Sequence, residues 1–378
     1  MKSFLLIVFS IFAVSWISGC KESGEKDKYY RTVIIDGSYA IKGRYPLADD
    51  KGKKCESYRF SYNNGELVRV DHLLEGELKE GSFFGSDVAR VKIKQFETYE
   101  KRTYFDANDS PVMNEDGVYS ISIRFDGESN PVARLNYDGF GGFAEDNYGV
   151  AHYSWTTDEE GVITEVVFYD FLGKRITIDD GGFKTKFKYD GKGNMIEQSY
   201  FDSTGNLKEN KKGVAVLRRK FDDNGNIIEI RYFDENDKLT ELNNGVAIEQ
   251  QECDEYGNII ETRYLGKNER LKENNMGVAM VKCDFDDCGN IIEQKYYDLS
   301  GDLTEGKFYG FAIRQWDYDE KSRVTETRFL GIDGELKNVI NEEAAVLRMK
   351  YDENGNLEEV LHFDKEGNPV EDSLTSVP

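Results

Sequence analysis

Proline is the first scarcity: five in 378 residues, so almost every backbone amide is free to donate into a ladder of hydrogen bonds. Histidine is scarcer still, with three, His72, His152 and His362, far apart in the chain. That leaves no metal-ligand spacing and no Ser-His-Asp order on which to build a nucleophile. The five cysteines include no CxxC pair, which removes the metal and redox motifs built on that spacing. Positive charge is in deficit, 49 Lys and Arg against 72 Asp and Glu, for a net charge of −23. A phosphate backbone needs basic side chains to displace its counterions, so nucleic acid is excluded as a partner. Adhesion of the surface to anionic lipid is excluded for the same reason. No long apolar pattern of helical period occurs, and helix should be minor. Aromatics, by contrast, are abundant, with 23 Tyr and 23 Phe; that is too many for a disordered chain and suits strands.

Glycine supplies the order. Gly85, Gly117, Gly149, Gly181, Gly213, Gly245 and Gly277 stand 32 residues apart, and Gly310 and Glu343 continue the series at 33. A second series runs in step: Gly65, Glu97, Ser129, Gly161, Gly193, Gly225, Gly257, Gly289, Ser322 and Gly355, one for each of ten units. Such a period marks a repeat protein, whose units bury their apolar faces against one another.

Two turn signals recur in these units, of the kind Asp222-Asp223-Asn224-Gly225 and Asp202-Ser203-Thr204-Gly205. Aspartate at the first position bonds amides ahead of it, and glycine at the fourth accepts a positive φ. This is the chemistry of a type I turn closing a hairpin with a glycine bulge. Between turns, Asn226 to Asp234 has strand length and composition. Alternation puts Ala215, Leu217, Arg219 and Phe221 on one side of the preceding strand. The other side begins with Val214 and Val216 and ends with Arg218 and Lys220. Half of this strand is therefore buried on both sides, which calls for a sheet that coils or is covered along one margin by the Leu239–Leu242 connection. The expected fold is all-β: an elongated, twisted or coiled stack of antiparallel β-hairpins over residues 53–370. Residues 29–52, with apolar runs around Asp36-Gly37, read as a hairpin cap shielding the first open edge, with Asp49 to Lys54 as a polar link. Residues 371–378 read as a polar tail.

The N-terminus carries an address. Lys2 precedes an apolar run from Phe4 to Ile17, short for a membrane span, followed by Ser18, Gly19 and Cys20. Ile17-Ser18-Gly19-Cys20 resembles the bacterial lipobox. By that resemblance residues 1–19 are removed and Cys20 carries the lipid, palmitate included, through its sulfur and new amino group. Several acyl chains anchor stably where one binds reversibly. An ordinary secretory peptide cut nearby and an uncleaved anchor are the alternatives. Residues 20–28 form a charged tether. Lys21 after the cysteine points to the outer membrane if the envelope is double.

The phrase Tyr351-Asp352-Glu353-Asn354-Gly355-Asn356-Leu357 resembles the YD-type repeat of the Rhs family, whose core is Tyr-Asp, two variable residues, Gly and a strand. It is also similar to MORN-like repeats, hairpins stacked into a ribbon. The resemblance covers roughly Tyr58 to Pro369 and implies a hairpin stack of the sort that serves as shell, scaffold or binding surface. The 32-residue spacing departs from the shorter YD period. No toxin or protease segment follows the repeats, so delivery of an effector is not expected.

Candidate sites remain few. Asp222, Asn224 and Asn226 alternate like calcium ligands, but glycine falls at the fourth position rather than the sixth, and turn chemistry accounts for every residue. Glu229, Glu261, Glu293 and Glu326, each followed two positions on by Arg231, Arg263, Lys295 or Arg328, should form a solvent-facing ion-pair ladder rather than an acid–base pair. Cys253 and Cys283 lie in neighbouring units with an offset poor for a disulfide, so free, partly buried thiols are expected. Binding residues are sought where rings meet irregular chain: Phe140 and Phe143, in a glycine-rich patch, with Trp155 and Trp316. No catalytic residue, metal or cofactor is expected, and no enzyme. The expectation is a lipid-anchored envelope protein whose repeat surface binds a protein or glycan. The alternative is a structural spacer or an immunity-type inhibitor.

Overall fold

A computed structural model describes residues 25–179, 182–308, 310–339, 343–352 and 357–370. The leader, Cys20, Gly181, Gly355 and the tail from 371 onward lie outside the described residues.

At the Gly225 turn the residues do what their chemistry dictates. The Gly225 amide donates to the Asp222 carbonyl at 3.1 Å, and the Asp222 amide to the Asn226 carbonyl at 2.9 Å. Asp222 Oδ1 accepts from the Asn226 amide at 2.8 Å. Gly225 stands at φ +80°, and the register of the flanking strands, Val216–Phe221 and Ile227–Phe233, slips there. This is a type I turn with a glycine bulge. Ser129 and Ser322 adopt the same left-handed backbone, with φ of 68° and 49°. Glu97 belongs to a different, tighter turn, in which the Phe96 amide donates to the Tyr99 carbonyl at 2.8 Å. The glycines of the first series close a third turn per unit. The Gly213 amide donates to the Asn210 carbonyl at 3.0 Å, and Asn210 Oδ1 accepts from the Val214 amide at 3.1 Å.

The strands join one sheet of 24, which does not close on itself. In each hairpin the two faces differ. Leu217 faces Tyr232, and Arg219 faces Ile230, on one side; Arg218 faces Arg231, and Lys220 faces Glu229, on the other. The connection after the second turn runs back over the next unit. The Thr240 amide donates to the Tyr232 carbonyl, and the Leu242 amide to the Val246 carbonyl. Leu239 packs on Ala247, Ile248 and Leu265. This cover explains why the Val-Ala start of each such strand is buried on both sides, with Val246 and Ala247 fully so.

The cap consists of β1 (Glu25–Ile35), β2 (Ile41–Leu47) and a short helix α1 (Asp49–Lys54), ahead of β3 (Ser57–Asn63). β1 lies between β2 and β3, paired from Glu25 with Asn63 to Tyr30 with Tyr58. Two expectations are corrected here. Glu25 to Lys28 belong to strand rather than tether, because β3 offers them a ladder. Asp49 to Lys54 turn once as helix, with Asp49 and Asp50 at its N-terminus and lysines at its end, an arrangement that suits the helix dipole. The cap also does more than shield an edge. The sheet coils, and the β1–β2 hairpin lies inside the coil. The largest apolar core gathers Val33 and Ile41 of the hairpin with Phe60, Val91, Ile121, Trp155 and Phe168 of the sheet. Farther along the chain only small clusters occur among the described residues, such as Phe311, Phe329 and Val339.

Candidate functional site: the chamber under the hairpin

The hairpin tip is built around Asp36. Its Oδ1 accepts from the Ser38 amide (2.9 Å), the Ser38 hydroxyl (2.8 Å) and the Ala40 amide (2.9 Å), and Lys42 pairs with its Oδ2 at 2.5 Å. Burial would raise this carboxyl's pKa, but Lys42 and Ser38 prevail and hold it low. Gly37 is required by approach rather than by φ. A Cβ there would stand 2.7 Å from Val162 Cγ1 and 2.8 Å from the Tyr189 ring, because the Gly37 carbonyl accepts from the Ile163 amide at 2.7 Å.

From the tip the hairpin reaches across successive turns of the repeats. Tyr39 stacks near Trp155, with ring centres 4.7 Å apart; its carbonyl accepts from Arg102 at 2.6 Å and its hydroxyl from Arg134 at 3.1 Å. Arg134 also donates to Asn136 Oδ1 (2.9 Å) and Asp116 Oδ2 (2.6 Å). Burial opposes its charge, yet Tyr39, Asp116 and Tyr153 keep its pKa well above normal. At the other end, Arg44 Nη2 donates to the Asn224 carbonyl at 2.6 Å, and the Tyr45 hydroxyl to Asn226 Oδ1. The Arg31 guanidinium sits 5.0 Å above the Tyr256 ring and donates to the Asp287 carbonyl at 3.4 Å. Cys55, just after α1, is bonded to Cys288, with sulfurs 2.12 Å apart. The turns at 161, 225, 257 and 289 thus lie along one strut.

Between strut and sheet are connected cavities. One of about 380 Å³ is lined by Tyr39, Tyr153, Trp155, Phe187 and Tyr189. A second, of about 680 Å³, shares Ile35, Asp36, Gly37, Tyr189 and Met195 with it and extends to Arg44, Arg219 and Phe221. Among the described residues Arg219 donates only to Met195 Sδ (3.5 Å) and Gln198 Oε1 (3.4 Å). Burial lowers its pKa, with only Tyr200, Tyr232 and Tyr189 acting the other way. A third cavity, a trough of about 740 Å³, meets the second at Gly257 and Ile259 and is walled by Tyr264, Val281, Tyr296, Arg314, Phe329 and Leu347.

The four ring residues singled out in the sequence occupy three places. Phe140 is fully exposed at the tip of an ordinary Asp138–Gly142 turn, whose Phe140 amide is held by Asp138 at 2.9 Å. Phe143 is half-exposed against Tyr137, ring centres 5.3 Å apart. Trp155 is buried in the chamber. Trp316 lies in the strand Ile313–Tyr318, 4.6 Å from the Arg314 guanidinium. The outer face carries the ion-pair rows, with Glu229 and Glu261 buried beneath their partners rather than solvent-facing: Arg231 meets Glu229 at 2.7 Å and Arg263 meets Glu261 at 2.5 Å, with Lys282 reaching Glu261 from the next strand at 3.0 Å. Cys253 and Cys283 are free thiols, while Cys55 and Cys288 are bridged. Their residues are 233 apart in sequence, and only the coil brings them together. Arg44, Arg219 and the strut itself escaped the sequence reading, since nothing in a local period records a contact of that range.

No family model matches the chain, and no curated protein matches it. Among solved structures, a Photorhabdus luminescens Tc holotoxin pore with a mutant TccC3 is similar over 88% of this chain and 18% of its own, at 9% identity and TM-score 0.25. TcdB2-TccC3 without its hypervariable C-terminal region is similar over 87% and 18%, at 10% identity and TM-score 0.27. The chain therefore spans less than a fifth of either structure's length.

Proposed function

We propose that the protein is a lipid-anchored scaffold of the bacterial cell envelope, held through Cys20, that takes a segment of protein or glycan against the inner face of its coil. The 740 Å³ trough on the inner face carries this reading. Its walls combine rings and aliphatic side chains with Arg314 and Gln294, the mixture of apolar body and few polar groups that binding clefts use. The charged outer face, by contrast, is occupied with its own ion pairs. A disulfide between distant parts of the chain suits an oxidising, exported setting.

Capture from envelope extract by the full chain should yield a bound protein or glycan that Tyr264→Ala combined with Val281→Asp releases, with circular dichroism unchanged. Retention of the same species by that variant would overturn the binding reading. For the anchor, Cys20→Ala should move the protein from membrane to soluble fractions. A variant that stays as firmly membrane-bound as wild type would refute lipidation.

A further inference from the structure

Two of the guanidinium groups that lack a carboxylate partner among the described residues face one cavity. With 72 acids to 49 bases, most arginines find carboxylates: Arg59 and Arg90 each grip Asp71 at 2.6 Å, Arg134 grips Asp116 at 2.6 Å, and Arg218 grips Glu197 at 2.7 Å. Arg219 and Arg44 form no ion pair among the described residues. Arg219 has its two long bonds to neutral acceptors (3.4 and 3.5 Å). Arg44 donates to the Asn224 carbonyl (2.6 Å), Asn226 Oδ1 (3.1 Å) and the Tyr45 hydroxyl (3.2 Å), all from Nη2. Its Nη1 and Nε hold no hydrogen-bond partner among the described residues.

Both arginines line the 680 Å³ cavity, Arg219 from the sheet and Arg44 from the strut. The only carboxylate on that lining, Asp36, is committed to Lys42 and its own turn. The remaining walls include Ile34, Tyr189, Met195, Phe221, Ile227 and Ile259. Arg44 lies within Coulombic reach of Asp222, whereas no carboxylate among the described residues acts on Arg219. A half-buried cation without a counter-ion is costly in a low dielectric. An anion entering beside it gains charge-assisted hydrogen bonds, bidentate ones if it is a carboxylate or phosphate. A cavity of this size falls within the range of small-molecule sites, ~300–1,000 Å³.

We propose that this cavity binds a small amphipathic anion: an apolar, ring-bearing body against Tyr189 and Phe221, and one carboxylate or phosphate head between Arg219 and Arg44. The site adjoins the trough at Gly257 and Ile259, but its anion-binding arginines lie outside the trough's lining, so it does not depend on what the trough binds.

Calorimetric titration of the full chain with naphthalene-2-carboxylate, its neutral carboxamide and 2-naphthyl phosphate tests it. At least one anion should bind about tenfold or more tighter than the amide, and whichever anion binds tighter names the head group. Arg219→Gln should erase that preference while leaving amide binding in place; Arg219→Lys should keep part of it. If Arg219→Gln disturbs the fold, Arg44→Gln serves the same purpose. Equal binding of anion and amide, a preference untouched by either Gln variant, or no binding by any probe would overturn the proposal. Absence of any anion preference in the wild type, with capture from envelope extract intact, rejects this site alone; anion preference without capture rejects the trough alone.

Discussion

Glu229 and Glu56 show how single side chains set the response to acid. Burial would raise the Glu229 carboxyl, but hydrogen bonds from Arg231, Lys220 and Gln250 outweigh it and bring its pKa from 4.5 to about 2. Glu56 is likewise brought to about 2, against burial, by His72 and Lys79. A carboxyl with a depressed folded pKa contributes stability that is complete above its unfolded value and lost as pH falls through the folded one. The window therefore runs from pH 4.5 down to about 2. Urea midpoints should drop across it in the wild type. Glu229→Gln should be weaker at neutral pH and lose less on acidification; identical pH slopes would contradict this account. The Glu-x-Arg rows were legible in the sequence, since a period of two places both partners on one face. Arg219 was not. In sequence it is one more member of a mixed row, and its meaning depends on Arg44, whose contact with Asn226 spans 182 residues.

At the scale of the element, the turn is the unit of inheritance, and its backbone conformation matters more than its residue. Gly193 stands at φ +84° with open space where a Cβ would go, so Gly193→Ala isolates the conformational term and should cost about 1 kcal/mol. Ser129 already bears that strain at φ 68°. Ser129→Gly relieves it but loosens the unfolded chain, so a net gain of about 0.5–1 kcal/mol is expected in urea unfolding. A loss from Ser129→Gly, with no loss from Gly193→Ala, would show that side-chain contacts rather than φ govern these turns. The Asp-x-x-Gly hairpins were readable residue by residue. The third turn was missed although Asn210 and Asn274 signal it, because Leu242 stands in the same place in the intervening unit and bonds only through its backbone. The inward fold of the β1–β2 hairpin left no local mark. Asp36-Gly37 announces a turn, and says nothing of the Val162 and Tyr189 side chains that need the glycine's missing Cβ.

In the whole molecule, a stack whose units touch only their neighbours would unfold piecemeal. The strut supplies a second set of contacts, from Gly37 on Ile163 to Arg31 on Asp287, and the Cys55–Cys288 bond fastens its end. Closing a loop of 233 residues removes enough freedom from the unfolded chain to stabilise the fold by up to about 5 kcal/mol in the chain-entropy view. The bond should also couple units that sequence distance would leave independent. Past residue 290 no part of the strut reaches the sheet among the described residues, and the apolar clusters there are small. Hydrogen exchange of the oxidised protein should therefore show shared protection from β3 to the turn at Asp286–Asn290, and weaker protection in Val346–Phe363. In Cys55→Ser, Cys288→Ser the boundary should retreat toward Ile163, where the hairpin tip still holds. Naphthalene-2-carboxylate should then bind more weakly, because Arg44 reaches the cavity from the same strut. An unchanged boundary would mean that the hairpin core alone holds the coil and that the disulfide merely records how close its ends already lie.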